Sequence, residues 1–227
     1  MKTFQDFIQE GVNDPGIFKA FFTAGGPGSG KSYVAAQSGA GRSNPYGLKV
    51  VDSDPLFSKM LKDAGMATTA KDIYSDEGQS IRDKAKELTS HQQAGFIEGR
   101  LGLLVDGTGK DYNKIKKSSD ALKKIGYDTY MIFVNTSLDV ALQRNEMRAR
   151  SLDVTEVKKM WNAVQKNMGK FQSYFGRRNF LLVDNNVAGE DIFTKLFVEI
   201  GKLVKDPPTK RAANAWIKNQ HAINRRG

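Results

Sequence analysis

Eight residues, Gly25-Gly26-Pro27-Gly28-Ser29-Gly30-Lys31-Ser32, restrict the fold of this chain more than any other feature. They satisfy the spacing G-x-x-x-x-G-K-[ST] at every fixed position. Glycines let the main chain curl until successive N–H groups point inward at phosphate oxygens. The helix that follows presents unpaired N–H groups and the positive end of its dipole to the same anion. In such a loop Lys31 reaches the β- and γ-phosphates of ATP and Ser32 holds Mg²⁺. Tyr33, next along the helix, is counted with the loop among the nucleotide-binding residues. An apolar run before the loop and a helix-forming segment after it supply the strand–loop–helix setting that the pattern requires.

The rest of the chain repeats that alternation. Apolar runs at Ile17–Ala24, Leu48–Val51, Leu101–Val105, Thr129–Val134 and Phe180–Val183 end on Gly25, Asp52, Asp106, Asn135 and Asp184. Helical patterns lie between them, at Lys31–Ser38, Gln79–Glu98, Tyr112–Ile125, Leu138–Ala149, Val154–Met168 and Glu190–Val204. The alternation predicts an α/β fold: a three-layer P-loop NTPase architecture, with a central parallel sheet of about five strands flanked by helices. Ligands of such sheets gather at the carboxyl ends of the strands. Pro207-Pro208 breaks the last helix, leaving 210–227 as either a short basic helix around Trp216 and Ile217 or a disordered arm. The expected organisation is a leader at 1–14, one domain at 15–204 and a basic tail at 205–227.

Composition removes several classes of function. Without cysteine there is no disulfide, no thiolate nucleophile and no sulfur-ligated zinc. No apolar run approaches the roughly 20 residues of a membrane span, so a cytoplasmic protein without a membrane partner is expected. The net charge is +10, from 35 Lys+Arg against 25 Asp+Glu, and it is uneven. Lys110, Lys114, Lys116, Lys117, Lys123 and Lys124 form one cluster, and the tail from Lys205 onward forms another. Basic clusters suit phosphate-rich partners, nucleotides or nucleic acid, and equally suit solvated helix faces.

Transfer of phosphate to a hydroxyl gains from a carboxylate that takes the proton and orients the nucleophile. Val50-Val51-Asp52-Ser53-Asp54 ends the second run about 20 residues after Lys31, and here the chain resembles the zeta-toxin family and the neighbouring 5′-polynucleotide kinases. In those families the catalytic aspartate stands at the end of this strand, and the zeta-like pattern is a D-x-D pair whose second aspartate is the base. The resemblance implies Asp54 as the base ahead of Asp52, the other candidate, which is otherwise counted with the residues that bind the acceptor. Read locally, Asp54 before Pro55 also suits a helix N-cap. Leu103-Leu104-Val105-Asp106-Gly107-Thr108-Gly109-Lys110 resembles the zeta-toxin strand that ends in an acid, Gly-Thr-Gly and a base. The resemblance implies that Asp106 touches either the acceptor or, through water, Mg²⁺, and that Thr108 and Lys110 face the acceptor, although Asp and Lys stand where Glu and Arg are usual. A tight turn is the local alternative. The family also places a helix arginine and a lid arginine after the fourth strand. Arg144 matches the first, while Arg148 and Arg150 compete for the second and Arg150 lies nearer the loop. Guanidinium groups there would neutralise the transferred phosphoryl group. Trp161, Phe171, Tyr174 and Phe175 read as packing residues.

The implied activity is a kinase using ATP and Mg²⁺, with an acceptor hydroxyl on a nucleotide sugar or a nucleic acid. Lys2-Thr3-Phe4-Gln5-Asp6-Phe7-Ile8-Gln9-Glu10-Gly11 also resembles the capsid-targeting leader of internal head proteins of T-even-type phages, which a head protease cuts after glutamate. That resemblance implies a phage protein made in the host cytoplasm, packaged with DNA in the head and cleaved after Glu10. It leaves a competing reading: a DNA-associated head protein whose nucleotide site is regulatory or vestigial.

Overall fold

The computed structural model describes residues 11–35, 46–147, 152–187 and 190–224. Among these, β1 (Lys19–Ala24), β2 (Lys49–Val51), β3 (Leu103–Val105), β4 (Asp128–Asn135) and β5 (Phe180–Asp184) form one parallel sheet in the order β2-β3-β1-β4-β5. Helix α1 (Lys31–Ala35) follows the glycine loop. Helices α2 (Asp54–Asp63), α3 (Ala70–Ile73) and α4 (Asp76–Glu98) join β2 to β3. Helix α5 (Tyr112–Lys124) joins β3 to β4, and α6 (Leu138–Glu146) and α7 (Val154–Phe175) join β4 to β5. Helices α8 (Glu190–Lys205) and α9 (Arg211–Asn224) complete the described chain.

Strand periodicity sorts the core into two layers. From β1 and β4, Ala20, Phe22, Ala24, Met131 and Phe133 face one side, where Leu122 of α5, Phe171 and Phe175 of α7 and Ala213 of α9 cover them. Phe21, Tyr130, Ile132 and Val134 face the other, under Leu196, Ile200 and Val204 of α8. Both faces are covered, so β1 reads as a continuous buried run. Each large apolar side chain buried in this way contributes about 1.5–3 kcal/mol. A third, separate cluster of Phe57, Leu61, Ile73 and Ala85 holds α2, α3 and α4 to one another.

Side-chain oxygens explain where helices begin. Ser75, Asp111, Ser137 and Asp153 accept main-chain N–H groups of the first turns of α4, α5, α6 and α7. Helix α7 continues past Met168, the expected end, because Phe171 and Phe175 prolong its apolar stripe to Gly176. At the start of α2 the cap position is Ser53 and Asp54 is already helical, so the local expectation of Asp54 as the cap is not met. The carboxylate that accepts a main-chain N–H there is that of Asp52, 2.9 Å from Asp54 N.

Both ends of the described chain are tied to the sheet. Asp14 is buried, accepts the N–H groups of Gly16 (2.8 Å) and Gly102 (3.3 Å), and lies 3.6 Å from the Lys49 ammonium. Of the expected leader, residues 1–10, Glu10 included, lie outside the described residues. The segment after Pro208 is a packed helix, with the Trp216 ring edge-on to Phe18 at 5.6 Å. Its anchor is Thr209, whose N–H (3.1 Å) and hydroxyl (2.5 Å) both donate to Asp128. The same carboxylate pairs at 3.1 Å with the fully buried ammonium of Lys19, its neighbour across the β1–β4 ladder. Among the described residues no helix is long and apolar enough to cross a membrane.

A buried charge that loses its partner is far costlier than a pair that never existed. Asp128→Ala is expected to destabilise the protein by about 3–5 kcal/mol, measured by urea unfolding. The double replacement Lys19→Met, Asp128→Leu is expected to recover most of that loss.

Candidate active site

The glycine loop springs from the C-terminal end of β1, between β3 on one side and β4 on the other. Its shape needs left-handed torsions at Gly28 (φ 73°) and Gly30 (φ 93°). A Cβ on Gly30 would also stand 2.6 Å from the Asn185 amide nitrogen. Neighbouring elements hold the loop from three directions. Gly25 N donates to Thr108 O (3.0 Å), Asn185 Nδ2 donates to Ser29 O (2.7 Å), and Arg144 Nη1 donates to Gly28 O (3.3 Å). The Lys31 ammonium folds back onto Gly25 O (2.5 Å) and Gly26 O (3.2 Å). Ser32 is exposed at the first turn of α1, and the Tyr33 ring meets Phe193 edge-on at 4.7 Å.

Beside the loop a cleft of about 500 Å³ opens at the ends of β2 and β3. It brings together Asp52, Asp54, Asp106, Thr108 and Lys110, the five residues expected to serve the acceptor end of the site. Their environments differ. Asp54 is exposed. The carboxyl of Asp52 is pushed above its usual range by burial, and the nearby charges of Asp106 and Asp54 add to this while the N–H of Asp54 opposes it. Asp106 accepts the Thr23 hydroxyl at 2.6 Å, and Gly107 N donates to the same hydroxyl at 3.1 Å. Thr23 is a buried residue of β1, so the strand that carries the phosphate loop also fixes this carboxylate. Lys86, Ser90 and Gln93 of α4 and Lys114 of α5 also line the cleft.

The Asp-Gly-Thr-Gly segment is thus a turn as well as a cleft wall. Asn167 of α7, nearly buried, donates to Gly109 O (3.0 Å) and Lys110 O (2.9 Å) and clamps it from behind. Asn145 at the end of α6 exchanges two hydrogen bonds with the main chain of Leu152 (2.8 and 3.0 Å). Arg148 and Arg150, between those two residues, lie outside the described residues. Trp161 packs as expected and has a second role. Its indole N–H donates to Thr136 O (2.8 Å), and its ring lies against Gly26.

Asn185, Asn167 and Asn145 were not singled out from the sequence. Asn185 carried one usable signal, its place directly after a strand end. The other two sit within or at the end of helices and bond to main chain distant in sequence or across a turn, which no local pattern reveals.

Residues 12–188 match the family model described as Zeta toxin. Solved structures share the fold at low identity. The native AvrRxo1-ORF1:AvrRxo1-ORF2 complex aligns with a TM-score of 0.56 and 14% identity, over 95% of this chain and 83% of that one. The complex of the same pair with ATP aligns at 0.55 and 14%, over 87% and 70%. A putative kinase from Chloroflexus aurantiacus aligns at 0.52 and 14%, over 80% and 97%. Among curated proteins, none matches the chain.

Two expectations follow from the geometry. The unfolded chain ionises Asp52 near the ordinary value of 3.8, and the folded protein does so at higher pH. Folding therefore opposes its ionised form at neutral pH, and that burden vanishes as pH falls below the unfolded value. Asp52→Asn is expected to raise the Tm at pH 7, with the gain disappearing toward pH 3.8. Asn185→Ala strips the buried Ser29 carbonyl of its donor, which is expected to cost about 1–3 kcal/mol in thermal unfolding. ATP binding, read by calorimetry, is expected to weaken about tenfold.

Proposed function

The chain belongs to the zeta toxin family, and from that premise we propose that it is an ATP-dependent kinase that transfers the γ-phosphate to an acceptor hydroxyl held in the cleft between α4 and α5. The observation that carries this reading is the convergence of Asp52, Asp54, Asp106, Thr108 and Lys110 in one cleft that the Gly25–Thr108 hydrogen bond ties to the phosphate loop.

In this reading the phosphates of ATP replace the loop carbonyls as partners of the Lys31 ammonium, and the loop N–H groups surround them. Asp54 takes the proton of the acceptor hydroxyl. Its exposed position on the cleft favours it over Asp52, whose carboxylate is engaged with the N–H of Asp54. Thr108 and Lys110 orient the acceptor. Arg144, already against Gly28, and Arg150 neutralise the charge of the group in transit.

Mg²⁺ fits the donor set. Ser32 and Asp106 offer only hard oxygens, and among the described residues no cluster of three acidic, histidine or cysteine side chains forms an all-protein cage. An ion with one or two protein ligands that completes its shell with phosphate and water suits that arrangement. Bound there, it would draw charge from the β- and γ-phosphates.

Acceptors compatible with the cleft are a nucleotide sugar or a nucleic-acid terminus. The family match does not favour the head-protein alternative with an idle nucleotide site. Transfer of labelled γ-phosphate to UDP-sugars, 5′-hydroxyl oligonucleotides, hydroxymethylated DNA and nucleosides tests the reading. A labelled acceptor is expected with the wild-type chain. Asp54→Asn is expected to lower kcat by about 10²–10⁴-fold while ATP binding persists, and Lys31→Ala to lose transfer altogether. Release of free phosphate with no labelled acceptor would make water the nucleophile and the protein an ATPase.

A further inference from the structure

Residues 110–124 place six lysines against Asp111 and Asp120 alone, and the fold concentrates that charge further. Asp111 is occupied as the cap of α5, bonded to Lys114 N at 3.0 Å. Asp120 is engaged by the Lys116 ammonium (2.7 Å) and the Tyr174 hydroxyl (2.5 Å). Lys114, Lys117 and Lys124 are exposed and recur at helical spacing along one stripe of α5. Lys116 and Lys123 flank the stripe and are steadied on the Tyr174 ring, with ammonium-to-centroid distances of 5.2 and 4.0 Å.

A second basic segment reaches the same place. The Thr209–Asp128 clasp sets Lys210 beside the C-terminal end of α5. Burial pushes the Lys123 ammonium below its usual range, and Lys210 and Lys116 add to this while Asp120 opposes it. Like charges are thus held together by the fold itself, which runs against their mutual repulsion. Lys210 and the last lysine of α5, Lys124, are separated by more than 80 residues of sequence, yet they extend one ridge. At its other end the ridge meets the cleft, where Lys110 and Lys114 form part of the lining.

We propose that the outward face of α5, continued by Lys210, is a track for the phosphate backbone of a single-stranded nucleic acid. The thirteen residues of α5 span about 20 Å. A stacked strand carries one phosphate about every 3.4 Å, so the ridge accommodates on the order of six phosphates. The track reads charge more than sequence, because ammonium groups already lie over the rings of Tyr112 and Tyr174 and compete there with stacked bases. A membrane is the poorer fit. Helix α5 exposes no large apolar side chain to insert among lipids. A strand lying on the ridge leads toward the cleft, but binding itself needs no phosphoryl transfer and stands apart from the kinase reading.

The test is fluorescence anisotropy of a labelled single-stranded 12-mer with the full chain, without ATP, across a salt series. Lys117→Glu/Lys124→Glu alters the ridge outside the cleft. Lys195→Glu/Lys202→Glu makes the same charge change on α8, across the sheet. Lys117→Gln/Lys124→Gln is a milder ridge variant, and circular dichroism checks the folding of all three. The ridge reversal is expected to weaken binding about tenfold or more near physiological salt. It is also expected to flatten the log K against log salt slope by about 1.4, with the α8 variant within about threefold of wild type. Equal losses in both variants, no binding by the wild-type chain, or binding to phosphatidylserine vesicles but not to the strand would each overturn the proposal. Because the assay contains no ATP, such a result would leave the kinase reading untouched.

Discussion

A phosphate loop works only if its main chain is held open, and in this protein the holding groups come from elsewhere in the sequence. Thr108 grips the loop from the end of β3, Asn185 from the end of β5 and Arg144 from α6. Each can reach it because β1 lies in the middle of the sheet. Were β1 an edge strand, one side of the loop would lack such a support. The sheet order is therefore what turns a flexible run of glycines into a fixed concave surface, at the crevice where parallel sheets gather their ligands.

The same placement joins the two halves of the site. Thr23 is buried in β1, and its hydroxyl holds Asp106 on the neighbouring strand. The turn after Asp106 returns a carbonyl to the loop through Thr108. Three carboxylates converge on this corner, and their surroundings differ. One is half-buried and drawn toward its protonated form, one is tied to a threonine, and one is exposed on the cleft. Such division of similar groups by surroundings is how a site obtains distinct chemistry from identical side chains.

Much of this was legible in the sequence because it is local. The glycine spacing, the apolar runs and the polar residue closing each run depend on neighbours in the chain, and all five expected strands are present, with shifts of a residue or two at their ends. The resemblance carried by Asp52-Ser53-Asp54 and Asp106-Gly107-Thr108-Gly109-Lys110 named residues that do share a cleft. What escaped notice is non-local. Lys19 inside a strand gives no hint that Asp128 and Thr209 will bury it, and Asn167 on α7 gives no hint of its bonds behind Gly109. Helix α3, four residues long, is too short for periodicity to declare it, and Asp54 before Pro55 suggests a cap that the fold gives to its neighbours. The segment from Arg211 left two options open because its apolar residues are few. Ala213 and Trp216 settle it as a helix only once Phe18 is seen beneath them.

The lobe of α2, α3 and α4 is held together by its own small apolar cluster, distinct from the two layers that sandwich the sheet. Arg82 of α4, lying 4.4 Å over the Phe57 ring, belongs to that local packing. This separation has an evolutionary consequence. Replacements among Phe57, Leu61, Ile73 and Ala85 reshape one wall of the cleft while the packing beneath the glycine loop stays as it was. A lineage can therefore drift, duplicate and diverge in this lobe with its nucleotide chemistry intact, and descendants of one ancestor can come to differ most where they meet their second substrate.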